Sequence, residues 1–265
     1  MNMRRDEAYE AVMGMVFPES GEEPLVCGES GHGAGHVCIP LAADVAPDED
    51  WFDLGGASAG VRGLPEALGG ETVEWVVAWP WSARWVGVGR TGGVRPVLAV
   101  LERTTPDLAA LPSDATWLDA LVAVTGWEAT GVRAPEVEWG LLERGLGMRL
   151  PQEYKALVET FGPGRFDSFL DLTPPQDLHP STWPGDGHDR LVWASNEHRD
   201  TFYWLMDGPD PERWPVCGEA DTGRAVRFDC GPAEVIFRYL VDPDFPFRIP
   251  TGFRAQWFDA WGCEE

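Results

Sequence analysis

The chain has 265 residues, 44% of them apolar and including fourteen Trp and twelve Phe, a composition that supports packed cores and argues against global disorder. Its length favours two domains. The 44 acidic and 20 basic side chains give a formal net charge of −24, which excludes functions that depend on electrostatic attraction to nucleic acid or to an anionic membrane.

The acidity is spread along the whole chain. The residues before Gly126 include 19 acids and 7 bases and the remainder 25 acids and 13 bases, so each part carries −12. A negative field of this extent raises the association rate with a basic protein partner. Solubility alone is the alternative explanation of the same composition.

Two further features bear on the compartment. Asp6, Glu7 and Glu10 interrupt the apolar run that a secretory signal requires, and no segment approaches the roughly 18 apolar residues of a membrane span. The five cysteines are odd in number and widely spaced. We therefore expect a soluble, reduced protein of the cytoplasm.

The first predicted element is a helix over residues 4–16. Its apolar side chains recur at i, i+3, i+4 and i+7 and so share one face; they are Tyr9, Val12, Met13 and Val16. Pro18 and Gly21 then end the helix. Residues 27–70 are rich in Gly, include the acidic run PDED at 47–50, and predict loops.

The next stretch has the period of two that a half-buried strand produces. Its alternating apolar side chains are Val73, Trp75, Val77 and Trp79. Residues 85–89 and 96–101 predict two more strands with a Thr-Gly-Gly turn between them. A helix capped by Ser113 is expected to end near Gly126. Residues 1–126 are therefore predicted to form an α+β domain with antiparallel strands.

Residues 125–136 have two Gly, a Pro and no periodicity, and predict a linker. Two helices are predicted after it. The apolar stripe of the first is Val137, Leu141, Leu142 and Leu146, and that of the second is Tyr154, Leu157, Val158 and Phe161. Pro151 suits the first position of the second helix, which Gly162 and Pro163 end.

The sequence that follows is rich in β-forming residues and predicts an antiparallel meander. Phe166, Phe169, Leu170 and Leu172 are expected to enter its first strand. Later strands are RLVWAS, TFYWLM, RWPVCG and AVRFD, separated by turns. Gly231 and Pro232 open a last helix with Val235, Ile236, Tyr239 and Leu240 facing inward. Two helices, an antiparallel sheet and a final helix predict an α+β domain over residues 134–265.

Several short motifs of this second part occur in a characteristic order. Leu150, Pro151, Tyr154 and Lys155 precede Phe161-Gly162, Gly164 and Phe166, and later come WAS at 193–195 and FYWLMDGPDPERWPV at 202–216. With these motifs, residues 135–241 resemble the SUKH superfamily, which includes a yeast cell-wall regulator and many bacterial immunity proteins. The resemblance does not reach the first part of the chain.

The resemblance implies a non-catalytic protein that binds and neutralises a basic, nuclease-like toxin, with no cofactor. A nuclease is basic because it holds phosphates, so an acidic inhibitor can occupy the same surface. The expected contact residues are the acidic and aromatic positions of the central hairpin and its turns, namely Asp167, Glu197, Trp204, Asp207, Asp210, Glu212 and Trp214. A regulatory scaffold of the same fold is the alternative function.

Five of these seven residues also have purely structural explanations. Large aromatic side chains on strands are usually buried, so core packing is the alternative for Trp204 and Trp214. Asp-Gly and Asp-Pro pairs favour turns without any partner, which is the alternative for the Asp residues.

The segment CGESGHGAGHVC offers four side chains of the types that zinc accepts. They are Cys27, His32, His36 and Cys38. Their order and spacing match none of the common zinc patterns, and the surrounding glycines would make the loop costly to order. The sequence therefore favours an ordinary flexible loop without a metal. A metal-dependent hydrolase using this loop is the least favoured alternative.

Two other enzyme signals are weak. Gly87, Gly89 and Gly92 fit the spacing of a dinucleotide-binding turn, but a strand and not a helix is predicted after them. Polar residues of a hydrolytic set occur around the loops of the second domain, without a recognisable nucleophile or metal motif. They are Asp177, His179, Ser181, Asp186, His188, Asp189, Ser195, His198 and Asp200.

Overall fold

The computed structural model of the chain describes residues 2–18, 24–45, 64–104, 107–127, 134, 136–182, 189–247, 253 and 255–261. Helices and antiparallel sheets are both present, so the predicted α+β class is confirmed. Among the described residues, no helix combines the length and the apolar character that crossing a membrane requires.

The helices are α1 (Arg5–Val16), α2 (Trp117–Thr125), α3 (Trp139–Leu146), α4 (Gln152–Phe161) and α5 (Pro232–Val241). The strands are β1 (His36–Pro40), β2 (Ala67–Leu68), β3 (Glu71–Trp81), β4 (Arg84–Thr91), β5 (Arg95–Glu102), β6 (Gly164–Phe166), β7 (Leu170–Leu172), β8 (Pro180–Thr182), β9 (Asp189–Asn196), β10 (Thr201–Leu205), β11 (Val216–Glu219), β12 (Ala225–Phe228) and β13 (Phe258–Ala260).

The chain divides into two compact units, each built from separate segments. The first unit contains Met1–Pro106, Val124–Val132 and Phe253–Glu265, and the second contains Asp107–Ala123 and Arg133–Gly252. Residues 107–123 and 253–265 are thus grouped differently from the predicted limits of 1–126 and 134–265, which remain a prediction.

A five-stranded antiparallel sheet in the order β1-β5-β4-β3-β2 forms the centre of the first unit. One face packs against α1, although Tyr9 of the predicted stripe is 40% exposed and Ala8 is buried in addition to Val12 and Val16. Ala8, Val12 and Val16 of the helix join a core cluster that also contains Val77, Trp79, Val88, Leu98 and Val100. Alternate residues of the same strands enter a second core on the opposite face: Val73, Ala78, Trp85, Val97, Ala99 and Leu101, with Leu64 and Leu68.

The simple alternation predicted for β3 is wrong at one point. The pairing of β3 with β4 shifts its register between Trp75 and Val77, as a β-bulge does. Val73 and Trp75 consequently face the second core, whereas Val77 and Trp79 face α1. Sequence periodicity alone does not reveal a bulge, because both faces of this sheet are buried and both carry apolar side chains.

From residue 133 onward, the second unit has the predicted order of two helices, a sheet and a final helix; most of α2 precedes these elements in the same unit. Its strands follow the path β12-β11-β10-β9-β7-β6, and β8 also pairs with β9. The segment expected to enter one strand forms the short hairpin β6–β7 instead. The apolar stripe of α4 is buried as predicted, although Pro151 precedes the helix and is not its first residue. Gly162, at φ +75°, ends α4.

The beginning of α2 differs from the prediction. Thr116, not Ser113, provides the cap: its Oγ1 accepts a hydrogen bond from the backbone N of Asp119 at 3.2 Å, and the Asp119 carboxylate accepts one from the Thr116 N at 2.7 Å. This reciprocal pair is a capping box. Both residues were close enough to the predicted start that the Thr-x-x-Asp spacing could have identified them.

A buried polar network joins the β9–β10 hairpin to α5. The Asn196 Nδ2 donates to Asp200 Oδ2 at 2.9 Å and to the Tyr239 hydroxyl at 3.0 Å, and Asn196 Oδ1 accepts from the Asp200 N at 2.9 Å. All three side chains are buried, and burial raises the pKa of Tyr239. The amide of Asn196 is therefore the link between the turn and the helix.

We expect Asn196→Ala to lower the free energy of unfolding by about 2–3 kcal/mol, because buried polar partners lose their hydrogen bonds. Tyr239→Phe removes one hydroxyl and should cost about 1 kcal/mol. Urea unfolding followed by tryptophan fluorescence measures both. An Asn196→Ala effect below that of Tyr239→Phe would contradict the assignment of Asn196 as the link.

Candidate functional site

Three of the seven predicted contact residues are buried inside the second unit. Asp167 and Trp204 are each 1% exposed and Trp214 is 8% exposed. Trp204 packs edge-on against Tyr154 at a centroid distance of 5.5 Å, and the Trp214 indole N–H donates to the Gly208 carbonyl at 2.9 Å. The core-packing alternative thus describes both tryptophans, and all three residues present little surface to a partner.

Two further predicted residues stabilise a loop and a helix. The Asp210 carboxylate accepts a hydrogen bond from the Glu212 backbone N at 3.3 Å. The Glu212 carboxylate accepts from the backbone N of Gln152 at 3.0 and 3.3 Å, at the beginning of α4. A carboxylate is favourable there because it pairs an N–H that has no partner within the helix and lies at the positive end of the helix dipole.

Glu153 caps the beginning of α5 in the same way, a role that was not predicted from the sequence. Its carboxylate accepts a hydrogen bond from the backbone N of Ala233, near the beginning of that helix. Burial raises the pKa of Glu153, and the nearby carboxylates of Glu234 and Glu212 raise it further. Part of the acidity of the second unit therefore serves its own helix termini.

Glu197 and Asp207 are the predicted residues that are exposed and outside these capping contacts. They lie in different turns: Glu197 is in the turn before β10, and Asp207 is in the turn after it. At about 3.3 Å per residue, the five residues of β10 separate the two turns by about 13 Å or more. Glu197 also forms an ion pair with Arg165 at 3.2 Å. The seven predicted residues therefore do not form one continuous patch.

The segment of residues 25–38 in the first unit is not the simple loop that the sequence favoured. Val26 and Ala34 form an antiparallel bridge, and the Gly35 N donates to the Leu25 carbonyl at 2.8 Å. A turn closes this hairpin, with the His32 N donating to the Glu29 carbonyl at 3.2 Å. The chain then enters β1, where it pairs with β5.

This hairpin brings the two cysteines and two histidines of the segment together. The four side chains, hereafter the Cys/His cluster, offer one donor atom each, and these atoms all lie within 4.8 Å of one another. Within the described residues they are the one group of three or more potential ligands that converges in this way. The cluster consists of Cys27, His32, His36 and Cys38.

The distances inside the Cys/His cluster are short. The His32 Nδ1 lies 3.3 Å from Cys27 Sγ, 3.1 Å from His36 Nε2 and 3.5 Å from Cys38 Sγ. The backbone N of Cys38 also donates to Cys27 Sγ at 3.4 Å. His32 Nδ1 is thus at hydrogen-bonding distance from the other three donor atoms.

The environment of the Cys/His cluster disfavours charge. Burial raises the pKa of the Cys38 thiol to about 12, and the neighbouring Cys27 adds to the shift. Burial and then His32 lower the pKa of His36, which is 9% exposed. These shifts favour the thiol form of Cys38 and the neutral imidazole form of His36.

The β2–β3 turn supports one side of the cluster. Gly69 has φ +57°, and a Cβ at this residue would lie 1.8 Å from His32 Cδ2 and 2.1 Å from His32 Nε2. Only glycine leaves room for the imidazole in this position. The next residue, Gly70, also has a positive φ, but nothing lies within 4 Å of the place where its Cβ would be.

The other enzyme signals occupy ordinary structural positions. Gly87, Gly89 and Gly92 lie on β4 and the turn after it, as predicted from the strand pattern. His179 Nδ1 lies 2.9 Å from the Asp177 carbonyl, and the His198 ring packs edge-on against Phe169. Asp186 and His188 lie outside the described residues.

The capping role of Glu212 generates a prediction. Glu212→Ala should lower the free energy of unfolding by about 1 kcal/mol, the usual cost of losing a helix N-terminal acceptor. Glu212→Gln keeps an acceptor oxygen and should cost less. Asp207→Ala, an exposed change in the same loop, is the control and should stay within about 0.5 kcal/mol of the wild type. Equal effects of all three substitutions in chemical denaturation would exclude the cap.

No protein-family model matches the chain, and comparisons with curated proteins and with solved structures give no significant match. The resemblance to the SUKH superfamily therefore stays a prediction from the motifs of residues 135–241.

Proposed function

We propose that the chain is a non-catalytic protein-binding module that neutralises a basic, nuclease-like toxin, in the manner of an immunity protein. The observation that carries the proposal is the net charge of −24, divided equally between the two parts of the sequence. The sequence motifs shared with the SUKH superfamily support it. Cytoplasmic action follows from the same proposal, because the toxin would act inside the cell.

The physical basis is competition for a cationic surface. A nuclease concentrates Lys and Arg where it holds the phosphates of its substrate. An acidic protein is attracted to the same surface over distances comparable to the Debye length, about 8–10 Å at physiological salt. Such attraction raises the association rate above that of an uncharged pair and excludes nucleic acid from the bound surface.

The positions of the acidic side chains indicate which of them could contribute to this attraction. Asp210, Glu212 and Glu153 already make hydrogen bonds within the second unit. Exposed acids such as Glu197 and Asp207 are spread over different turns. We therefore expect the summed field to govern the encounter, while a smaller set of contacts decides how long the complex lasts.

The test looks for a basic protein encoded beside this gene, and such a protein should be toxic alone and tolerated on co-expression. Its association rate with the chain should fall at least about tenfold between about 20 mM and about 500 mM NaCl, because salt screens the attraction. Stopped-flow fluorescence measures this rate. A salt-independent rate, or failure of co-expression to restore growth, would contradict the proposal.

A matched pair of double variants separates the field from the contacts. Glu197→Gln with Asp207→Asn alters the second unit, and Glu10→Gln with Glu74→Gln alters exposed acids of the first unit by the same net charge. Both should slow association by similar factors. Only the pair that touches the toxin should also speed dissociation.

The proposal also predicts that binding changes no covalent bond. Toxin released from the complex by denaturation and then refolded should have its original intact mass and full activity. A cleaved or modified toxin would show that the chain is an enzyme.

A further inference from the structure

We propose that the Cys/His cluster binds one Zn²⁺ ion with all four of its side chains and that the ion fastens the hairpin of residues 25–35 to the edge of the five-stranded sheet. The inference rests on the geometry of the cluster and is independent of the proposed function.

The spacing of the donor atoms matches tetrahedral zinc. Zinc binds cysteine sulfur at about 2.3 Å and histidine nitrogen at about 2.0–2.1 Å. Tetrahedral angles then separate two nitrogens by about 3.3 Å and a nitrogen from a sulfur by about 3.6 Å. The corresponding distances are 3.1 Å between His32 and His36, 3.3 Å from His32 to Cys27 and 3.5 Å from His32 to Cys38. These three separations differ from the tetrahedral values by a few tenths of an ångström. The other separations, which are at most 4.8 Å, would shorten by up to about 1 Å on binding.

The donor types identify the metal. Two sulfurs and two imidazole nitrogens in a tetrahedral arrangement favour zinc, whereas Mg²⁺ and Ca²⁺ prefer oxygen ligands. Two thiolates also balance the charge of a divalent cation. The backbone N of Cys38, which donates to Cys27 Sγ at 3.4 Å, supplies the kind of outer hydrogen bond that supports a metal-bound thiolate.

The surrounding fold holds each ligand in place. His36 and Cys38 are two residues apart on β1, so they project from the same side of a strand that is paired with β5 along its whole length. Cys27 and His32 come from the preceding hairpin. Gly69 leaves the space that the His32 ring occupies.

Coordination would supply stability that apolar burial does not. Of residues 24–35, only Leu25 and Cys27 are buried, while most of the others are exposed. A hairpin with so small an apolar surface gains little from the hydrophobic effect, and a bound metal is a common substitute.

The number of ligands also indicates a structural role. Four protein ligands complete the tetrahedron and leave no position for the water that a zinc hydrolase activates. The site that we infer therefore does not support the metal-hydrolase alternative considered for this segment.

The first experiment measures metal in the full-length chain, purified under reducing conditions without chelator. We expect about one equivalent of zinc by elemental analysis, and a lower unfolding temperature after zinc is removed. Replacement of zinc by Co²⁺ should give the absorption bands of tetrahedral cobalt with thiolate ligands. Less than a tenth of an equivalent after incubation with excess Zn²⁺, or a disulfide between Cys27 and Cys38 in the native protein, would overturn the proposal.

The second experiment uses two adjacent glycines as a matched pair. Both have positive φ, so alanine strains the backbone at either residue, but only at Gly69 would the new Cβ collide with His32. Gly69→Ala should weaken zinc binding about 10- to 100-fold, the range for loss of support to a ligand. Gly70→Ala should leave the affinity unchanged. Equal affinities of the two variants for Zn²⁺ would overturn the assignment of His32 as a ligand.

Ligand substitutions complete the test. His32→Ala and Cys38→Ser should weaken zinc binding by more than about 100-fold, beyond the usual effect of an outer contact. Cys230→Ser, which removes a thiol of the second unit, should keep both the zinc and the cobalt spectrum. Circular dichroism establishes that each variant is folded. A folded Cys38→Ser variant with wild-type zinc content would contradict the four-ligand site.

Discussion

The alternation of side chains along β1 is the constraint on which the site of the first unit depends. The five-stranded sheet is buried on both faces, so each strand must send successive residues into different cores. Ile39 of β1 joins the core with α1, whereas Cys38 packs against the opposite core. His36, two residues before Cys38, follows it to the same side. His36 and Cys38 of β1 therefore lie side by side as two potential ligands. The preceding hairpin contributes the other two, Cys27 and His32.

Some acidic side chains of the second unit stabilise its own helices. Glu212 caps α4, although it lies 60 residues after the capped Gln152. Glu153 caps α5, although it belongs to α4. These carboxylates satisfy backbone N–H groups that a helix cannot pair by itself. A toxin-binding surface, as we propose, would draw on the remaining acids. On this proposal, the acidic side chains would act both within the fold and in long-range attraction to the partner.

Much of the fold could be predicted from the sequence, because helix stripes and turn residues are local signals. The apolar stripe from Tyr154 to Phe161 is buried as predicted. The last helix, α5, begins at Pro232 directly after Gly231, also as predicted. The bulge in β3 and the convergence of the Cys/His cluster could not be predicted in the same way. Both depend on pairing between strands: the bulge on β4, and the cluster on the registration of β1 with β5 and on the β2–β3 turn. The unusual C-x₄-H-x₃-H-x-C spacing identified the four residue types but did not show that their side chains converge in the fold. For Trp204 and Trp214, sequence position in the hairpin did not distinguish a contact surface from the core.

X-ray absorption at the zinc K edge tests most directly whether the convergence of four side chains is a metal site. For a zinc ion held by the Cys/His cluster, we expect a four-coordinate shell with two nitrogen neighbours at about 2.0–2.1 Å and two sulfur neighbours at about 2.3 Å. A six-coordinate shell dominated by oxygen, or a shell without sulfur, would contradict it.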